Sequence, residues 1–250
     1  MRTHSAQSAL YHQPQLLSKA SQLANYLKSL PVAEIARDMK LSAPMAVKTQ
    51  ALMRDWTTDP NQQLPAIDAF IGDIYSGLQG QSLSEDDRTY ANQHLYILSG
   101  LYGVLRALDS ICPYRLEMGY RFGDEPFRNL YRFWHDTIAS LIPSDQLVIN
   151  LSSEEYTKAV LPYLPNSTII APKFMTKDPR SDEPKFVVVH AKIARGAFAR
   201  WLIQSRTERL NDIPKFSELG YHYSQQLSTA DQPIFVCDEF QGIGLSVRLS

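Results

Sequence analysis

Charged side chains follow an apolar run in the middle of this sequence, an arrangement that can hold an anion. The run carries Gly100 and Gly103, and Arg106, Arg115 and Glu117 come after it. Because arginine binds carboxylate or phosphate through two parallel hydrogen bonds, the two arginines are candidate anion ligands. An ion-pair network within the fold is the alternative, and composition does not choose between the two.

A second basic set lies in the C-terminal third of the chain. Residues 185–215 hold seven basic residues against two acidic ones, a local net charge of +5. From Ala191 onward, the helical period puts apolar residues such as Ala194 and Phe198 on one face. The basic residues predicted on the opposite face or its margin are Lys192, Arg195, Arg200 and Arg206.

The third candidate group lies where a predicted strand runs into a helix. The apolar run of residues 147–151 is followed by Ser152 and Ser153 and then by two glutamates. Free backbone N–H groups at a helix start favour anions, so Asn150 and Ser153 join Glu117 as candidate catalytic residues. Simple helix capping by these polar side chains is the alternative.

Composition places the chain among ordinary globular proteins and excludes several classes. It has 250 residues, 44% of them hydrophobic, and a net charge of -1, so nucleic-acid binding would need a local basic patch. Cys112 and Cys237 form no Cys-x-x-Cys pair, and the six histidines are dispersed, so we expect no metal site or cofactor. Without a predicted membrane segment or signal peptide, we expect a cytoplasmic protein that does not contact membranes.

Periodicity predicts a mixed α/β (α+β) domain, with a mixed sheet flanked by helices and a helical N-terminal layer. We expect a single domain over residues 1–250, with loose order at 1–12 and 242–250. The predicted helices cover residues 16–30, 32–40, 43–56, 85–94 and 130–142, with others opening at 152 and 191. The predicted strands cover residues 66–75, 96–105 (as one strand or as a strand plus a bend), 147–151, 167–171, 185–190 and 233–240.

Five segments of the chain resemble the peroxide stress resistance protein YaaA family in sequence and in order. The resemblance runs over about residues 14 to 240. The segments read FIGDIYSGL at 70–78, LSGLYGVLR at 98–106, PYRLEMG at 113–119, VINLSSEEY at 148–156 and AKIARG at 191–196.

The resemblance implies a bacterial cytoplasmic protein of the oxidative stress response that limits free intracellular iron. It also implies a mixed α/β fold of its own type, with a helix-hairpin-helix element and a positively charged cleft that binds double-stranded or distorted DNA. The departures are a family first strand with a Ser-Pro-Ala-Lys-Thr segment that has no counterpart here, and unusual residues at Ala107, Ile193 and Asp238-Glu239.

Three functions therefore remain open from the sequence. The first is a non-enzymatic protein that binds DNA nonspecifically through Arg106, Arg115 and the basic helix. The second is an enzyme acting on a small anionic substrate in the same polar cleft. The third is direct iron binding, for which no ligand motif is present. A helix-turn-helix at residues 32–56 is a weaker reading, because Ala43, Pro44 and Met45 open its second helix.

Overall fold

The computed structural model describes residue 1 and residues 12–244, and it confirms the mixed α/β class. The chain forms two compact units. The first comprises Met1–Ala69, Leu95–Ser144 and Ser152–Pro165, and the second comprises Phe70–His94, Asp145–Leu151 and the chain from Asn166 onward. The single-domain reading stays a prediction, and the predicted loose order at 1–12 and 242–250 lies largely outside the described residues.

The helices and strands are short, apart from two 13-residue helices near the start and one 18-residue helix near the end. The helices are α1 (Leu17–Ser29), α2 (Val32–Asp38), α3 (Ala43–Asp55), α4 (Ala66–Ala69), α5 (Asp73–Leu78), α6 (Glu85–His94), α7 (Leu130–Trp134), α8 (Glu154–Val160) and α9 (Val188–Ser205). The strands are β1 (Leu64–Pro65), β2 (Tyr96–Ser99), β3 (Gly103–Arg106), β4 (Ser110–Ile111), β5 (Leu147–Ile149), β6 (Thr168–Ile170), β7 (Lys173–Lys177), β8 (Pro184–Lys185), β9 (Tyr221–Tyr223) and β10 (Ile234–Cys237).

The first unit begins with the predicted helical layer. In α1 the buried residues Ala20, Leu23, Ala24 and Leu27 recur at helical spacing, so one apolar stripe faces the core. β2 and β3 form an antiparallel pair in which Tyr96 lies opposite Arg106. A second small antiparallel pair joins β1 to β4. Within the described residues, neither unit contains a helix both long and apolar enough to cross a membrane.

The second unit contains the predicted mixed sheet, with strand order β8-β7-β10-β9. β7 and β10 are parallel, while both edge strands run antiparallel to their neighbours. Phe174 of β7 lies at the centre of the core, where its ring centroid is 5.5 Å from that of Phe235 and 5.7 Å from that of Phe198 on α9. α9 therefore packs its apolar face on this sheet, as its period predicts.

Two predicted strands were wrong. Residues 66–75 form α4, which ends at Ala69, and the start of α5. Gly72, with a φ of 146°, is the N-cap residue from which Asp73 opens α5. Of residues 185–190, only Lys185 is in a strand, and α9 begins at Val188. There the helix that covers the sheet overrides the β preference of the valines. The predicted helix at 130–142 also breaks after α7, at His135, whose φ is 47°.

Two glycines allow α5 and α9 to pack with their backbones in contact. A Cβ added to Gly77 would overlap the carbonyl oxygen of Ile193 and come within 2.8 Å of the Ala197 nitrogen. A Cβ added to Gly196 would overlap the carbonyl oxygen of Ile74 and come within 2.7 Å of the Leu78 nitrogen, both on α5. Because backbone atoms cannot rotate away as side chains do, this packing requires glycine on both helices.

We predict that Gly196→Ala lowers the free energy of unfolding by about 3 kcal/mol, because the new methyl group collides with the α5 backbone. Alanine is the better helix former by about 1 kcal/mol, so any loss reflects the collision rather than helix propensity. Urea unfolding followed by circular dichroism measures the change. Gly123→Ala is the control, since a Cβ at Gly123 meets nothing within 4 Å. Equal unfolding of the two variants would contradict the packing argument.

Candidate functional site

The segment after β4 presents Arg115 and Glu117 by simple alternation. The extended backbone buries Tyr114, Leu116 and Met118 and leaves the two charged side chains exposed. In an extended chain, alternate residues point to opposite sides, so Arg115 and Glu117 share the outer side of the first unit. Their predicted roles, Arg115 as an anion ligand and Glu117 as a catalytic residue, stay predictions.

Glu117 reaches helix α8. The Tyr156 hydroxyl donates to the Glu117 carboxylate at 3.1 Å, and the backbone N–H of Tyr156 donates to the carbonyl of Ser153, the N-cap residue. Glu155 accepts a 2.6 Å hydrogen bond from the Gly119 backbone N–H. Burial raises the pKa of the Tyr156 phenol, and neighbouring negative charge, including that of Glu117, raises it further. Tyr156 therefore connects Glu117 to α8, the helix at whose N-cap position Ser153 lies.

Arg106 is held by a carboxylate inside the first unit. Its Nη2 and Nε atoms donate to Oδ1 of Asp109 at 2.7 and 3.0 Å, and its backbone N–H donates to Oδ2 at 2.9 Å. The Asp109 side chain is 1% exposed. Burial raises the pKa of Asp109, while the hydrogen bonds from Arg106 oppose that rise. This arrangement is the ion pair that the sequence analysis gave as the alternative to anion binding. That Arg106 binds an anion stays a prediction, and the anion would have to share the guanidinium with Asp109.

On α9, Lys192 and Arg195 lie one turn apart in the second unit. Lys192 is exposed and Arg195 is half-buried. Within residues 12–244, neither side chain has a hydrogen-bond acceptor or an ion-pair partner. Burial lowers the pKa of the Arg195 guanidinium, since a charged group loses hydration there. Anion binding to a half-buried guanidinium without an acceptor is favourable, because the anion's oxygens replace the hydrogen bonds to water that burial removed.

Arg200 closes the end of α5. Its Nη1 donates to the backbone carbonyls of Leu78 and Gln79 at 3.2 and 3.0 Å and to the Ser82 hydroxyl at 3.0 Å. The last carbonyls of a helix lack partners within the helix, and a cation there also interacts favourably with the helix dipole. Arg200 therefore has a structural role whatever else it binds.

Arg206 connects the end of α9 to α6. Its guanidinium pairs with the Asp87 carboxylate at 2.9 Å, lies 4.3 Å from the centre of the Tyr90 ring and donates to the carbonyl of Ile203. The pKa of Asp87 is lowered, first by a hydrogen bond from Ser84 and then by Arg206. Arg206 stays a candidate anion ligand only by prediction, because these groups already surround it.

Asn150 and Ser153 belong to different units. Asn150 follows β5 in the second unit, and its backbone N–H donates to the carbonyl of Ile170 at 2.7 Å, which extends the parallel pairing of β5 with β6. Ser153 occupies the N-cap position of α8 in the first unit, with an extended backbone and no side-chain capping bond. Their catalytic roles stay predictions.

The predicted residues thus fall into two geometric classes. Arg106, Arg200 and Arg206 contact acceptors of their own unit, whereas Lys192 and Arg195 have none within residues 12–244. Arg115 is intermediate, because it forms no ion pair within the described residues but hydrogen-bonds to Tyr120. In the described part of the chain, no group of three or more His, Cys, Asp or Glu side chains is placed to hold a metal ion.

Comparison with known proteins assigns the family. A profile of the family described as "Peroxide stress protein YaaA" matches residues 1–227. The chain belongs to this family. A UPF0246 protein of Salinispora tropica is 52% identical over 235 residues, which cover 94% of this chain and 89% of that protein. The sequence resemblance and a connection with peroxide stress are therefore confirmed.

Two further relatives extend the match to other bacteria. A UPF0246 protein of Shewanella woodyi is 41% identical, with 92% of both chains covered. A UPF0246 protein of a Marinomonas species is 40% identical, with 90% of this chain and 88% of the relative covered. Each of these matches therefore spans most of the length of the relative.

Sequence reasoning missed the acceptors that hold the basic residues of this YaaA family member. Asp109 was within reach, because its spacing of three residues from Arg106 is a common ion-pair spacing, here around a turn. Leu78 and Ser82, in contrast, precede Arg200 by more than one hundred residues, and no local pattern connects them. The hydrogen bond between Tyr156 and Glu117 is equally nonlocal, at a separation of 39 residues.

We predict that Arg106→Ala lowers the free energy of unfolding by about 3 kcal/mol, because the buried Asp109 carboxylate is left without its cation. Chemical unfolding monitored by tryptophan fluorescence measures this decrease. Arg128→Ala is the matched control, since Arg128 lies in the same unit and reaches Glu125 only at 3.9 Å, with both side chains largely exposed. Its other contact is an exposed hydrogen bond to the Gly123 carbonyl at 3.2 Å, so its removal leaves no buried charge. If Arg106→Ala and Arg128→Ala unfold alike, Asp109 does not depend on its partner.

Proposed function

We propose that this YaaA family member acts in the response to hydrogen peroxide by binding double-stranded or distorted DNA, without base specificity, through a positively charged surface. Lys192 and Arg195 of the second unit form the centre of the proposed surface. Arg115, in the first unit, is a separate candidate phosphate ligand. Binding of this kind shields the sugar-phosphate backbone and bases from oxidants. The family resemblance adds the limitation of free intracellular iron, and the proposal assigns no residue to that effect.

The observation that carries the proposal is the state of Arg195. Its guanidinium is half-buried on α9 and has no acceptor within residues 12–244. A phosphate supplies two acceptor oxygens in the geometry that guanidinium matches, and Lys192 adds a second charge one turn away. Hydrogen bonds to phosphate carry no sequence information, so binding through these residues would be nonspecific.

The alternative function is an enzyme that acts on a small anionic substrate. The favouring observation is the hydrogen bond between the Tyr156 phenol and the Glu117 carboxylate, two residues from the exposed Arg115. Ser153 adds a hydroxyl at the start of the same helix as Tyr156. Such a set offers a cation for binding and oxygen groups for proton transfer. A small anion presents far fewer phosphates than a duplex, so the two functions differ in their response to salt.

We predict that fluorescence-anisotropy titrations with duplex and bubble DNA give an affinity that falls steeply with salt. Replacing Lys192 and Arg195 together by alanine weakens binding to both DNAs and reduces the salt slope by about 2, because two phosphates are no longer neutralised. The same titrations with an excess of inorganic phosphate test whether a small anion occupies the surface.

The control is Arg209→Ala, which removes one positive charge from the same basic segment at an exposed position. It lowers the general attraction for DNA but leaves the phosphate ligands at Arg195 in place, so its slope stays near that of the parent protein. DNA binding that is absent, or that does not respond to salt, would exclude the proposed function. Equal slopes for the double variant and Arg209→Ala would exclude Lys192 and Arg195 as its centre.

A further inference from the structure

Phe186 differs from the other phenylalanines in the part of the chain that the structure describes. It is 48% exposed, and its ring contacts no other aromatic ring within residues 12–244. The sequence has 10 phenylalanines. All the others pack against an aromatic neighbour, at ring-centroid distances of 5.8 Å or less. Phe186 is therefore the phenylalanine whose ring face is open to a ligand.

The backbone places Phe186 on the same side as the basic residues of α9. Val187 is extended, with a φ of -109° and a ψ of 110°, so Phe186 and Val188 on either side of it point the same way. Val188 opens α9 and is 54% exposed. Lys192 follows four residues later and Arg195 three after that, so both continue the same helix face. We call Phe186, Val188, Lys192 and Arg195 the α9 stripe.

The α9 stripe has an aromatic, apolar end and a cationic end. From Val188 to Arg195 the helix rises about 10 Å, which is the axial length of about three nucleotides in one DNA strand. Lys192 and Arg195 have no acceptor within residues 12–244 and can each take a phosphate. Phe186 offers a ring face instead. Proteins that bind single-stranded nucleic acid combine the same two elements, cations for the backbone and aromatic rings for the bases.

We infer that Phe186 stacks on an unpaired base of the DNA whose phosphates bind Lys192 and Arg195. The inference rests on the function proposed above, and it adds the residue that distinguishes DNA with unpaired bases from an intact duplex. In an intact duplex, neighbouring bases cover both faces of each base, so the ring of Phe186 has nothing to stack on. An unpaired base exposes a face, and stacking on an aromatic ring favours binding whatever the base is.

Leu210 is the matched comparison for Phe186. It is 43% exposed and lies in the same basic segment of residues 185–215, but it follows the last residue of α9, Ser205, and has no ring. Exposed apolar area near positive charge is therefore common to Leu210 and Phe186. A position on the α9 stripe and an aromatic ring belong to Phe186 alone of the two.

The test titrates the full-length protein and its variants into two labelled DNAs and follows fluorescence anisotropy. One DNA is a short duplex, and the other is the same duplex with mismatched bases at its centre. We expect Phe186→Ala to weaken binding to the mismatched DNA about tenfold, the loss of one base–aromatic stack, and to leave the duplex affinity unchanged. Phe186→Leu, which keeps apolar bulk without a ring, should lose as much. Phe186→Trp should retain the parent's affinity, and mismatched DNA should quench its added indole fluorescence.

Leu210→Ala is the control and should leave both affinities unchanged. If the parent protein binds neither DNA, the proposed function is wrong and this inference fails with it. If the parent binds both DNAs and Phe186→Ala binds the mismatched DNA equally well, the inference alone is overturned. An equal loss of affinity for the two DNAs also overturns it, because Phe186 then acts on the surface in general. So does self-association that sedimentation velocity finds in the parent but not in Phe186→Ala, with DNA binding unchanged, because Phe186 then contacts a second copy of the chain.

Discussion

The close packing of α5 on α9 is the constraint on which the arrangement of the second unit depends. Gly77 and Gly196 bring the two helix backbones together without intervening side chains. Because α9 also covers the aromatic core of the four-stranded sheet, its position is fixed from two sides. That position brings Arg200 to the carbonyls that end α5 and Arg206 to Asp87 on α6. The same helix leaves Arg195 without an acceptor among the described residues.

The basic residues fall into two groups, according to whether the fold supplies an acceptor for a guanidinium that has lost water contacts. A guanidinium that loses hydration needs an acceptor, and Arg106, Arg200 and Arg206 each have one within their own unit. Within residues 12–244, Arg195 loses part of its hydration without such compensation. The local charge of +5 in residues 185–215 therefore overstates the field available to a ligand. Lys185 and Lys215 also pair with nearby aspartates, at 2.7 and 2.6 Å.

Much of the fold could be predicted from local patterns, and the failures have physical reasons. The apolar stripe of α1, the Ser84 cap before α6 and the apolar run of β5 are local signals, and the structure contains all three elements. The run at 66–75 instead folds as α4 and α5, since a glycine with positive φ and the close approach of α9 decide its shape. Strand β7 was missed because its inward Phe174 and Thr176 stand between two lysines.

The sequence predicted which charged residues are candidates for the site, but not which acceptors in the fold bind them. Helical spacing alone grouped Lys192 with Arg195, and closeness in the sequence brought Arg115 and Glu117 together as candidates. What spacing cannot show is which of the grouped charges the fold already satisfies. Asp87 lies more than one hundred residues before Arg206, and Tyr156 lies 39 residues after Glu117. Such pairings depend on tertiary packing, which no local pattern contains.

Nuclear magnetic resonance of the arginine side chains measures directly whether DNA contacts Arg195 rather than the arginines that already have acceptors. Spectra of the Nε–H groups, assigned with single Arg→Lys variants, are recorded while a short DNA duplex is added. We expect the Arg195 resonance to shift and its exchange with solvent to slow, while the resonances of Arg106, Arg200 and Arg206 stay unchanged. Shifts at Arg200 or Arg206 without a shift at Arg195 would contradict the assignment of Arg195 as the phosphate ligand.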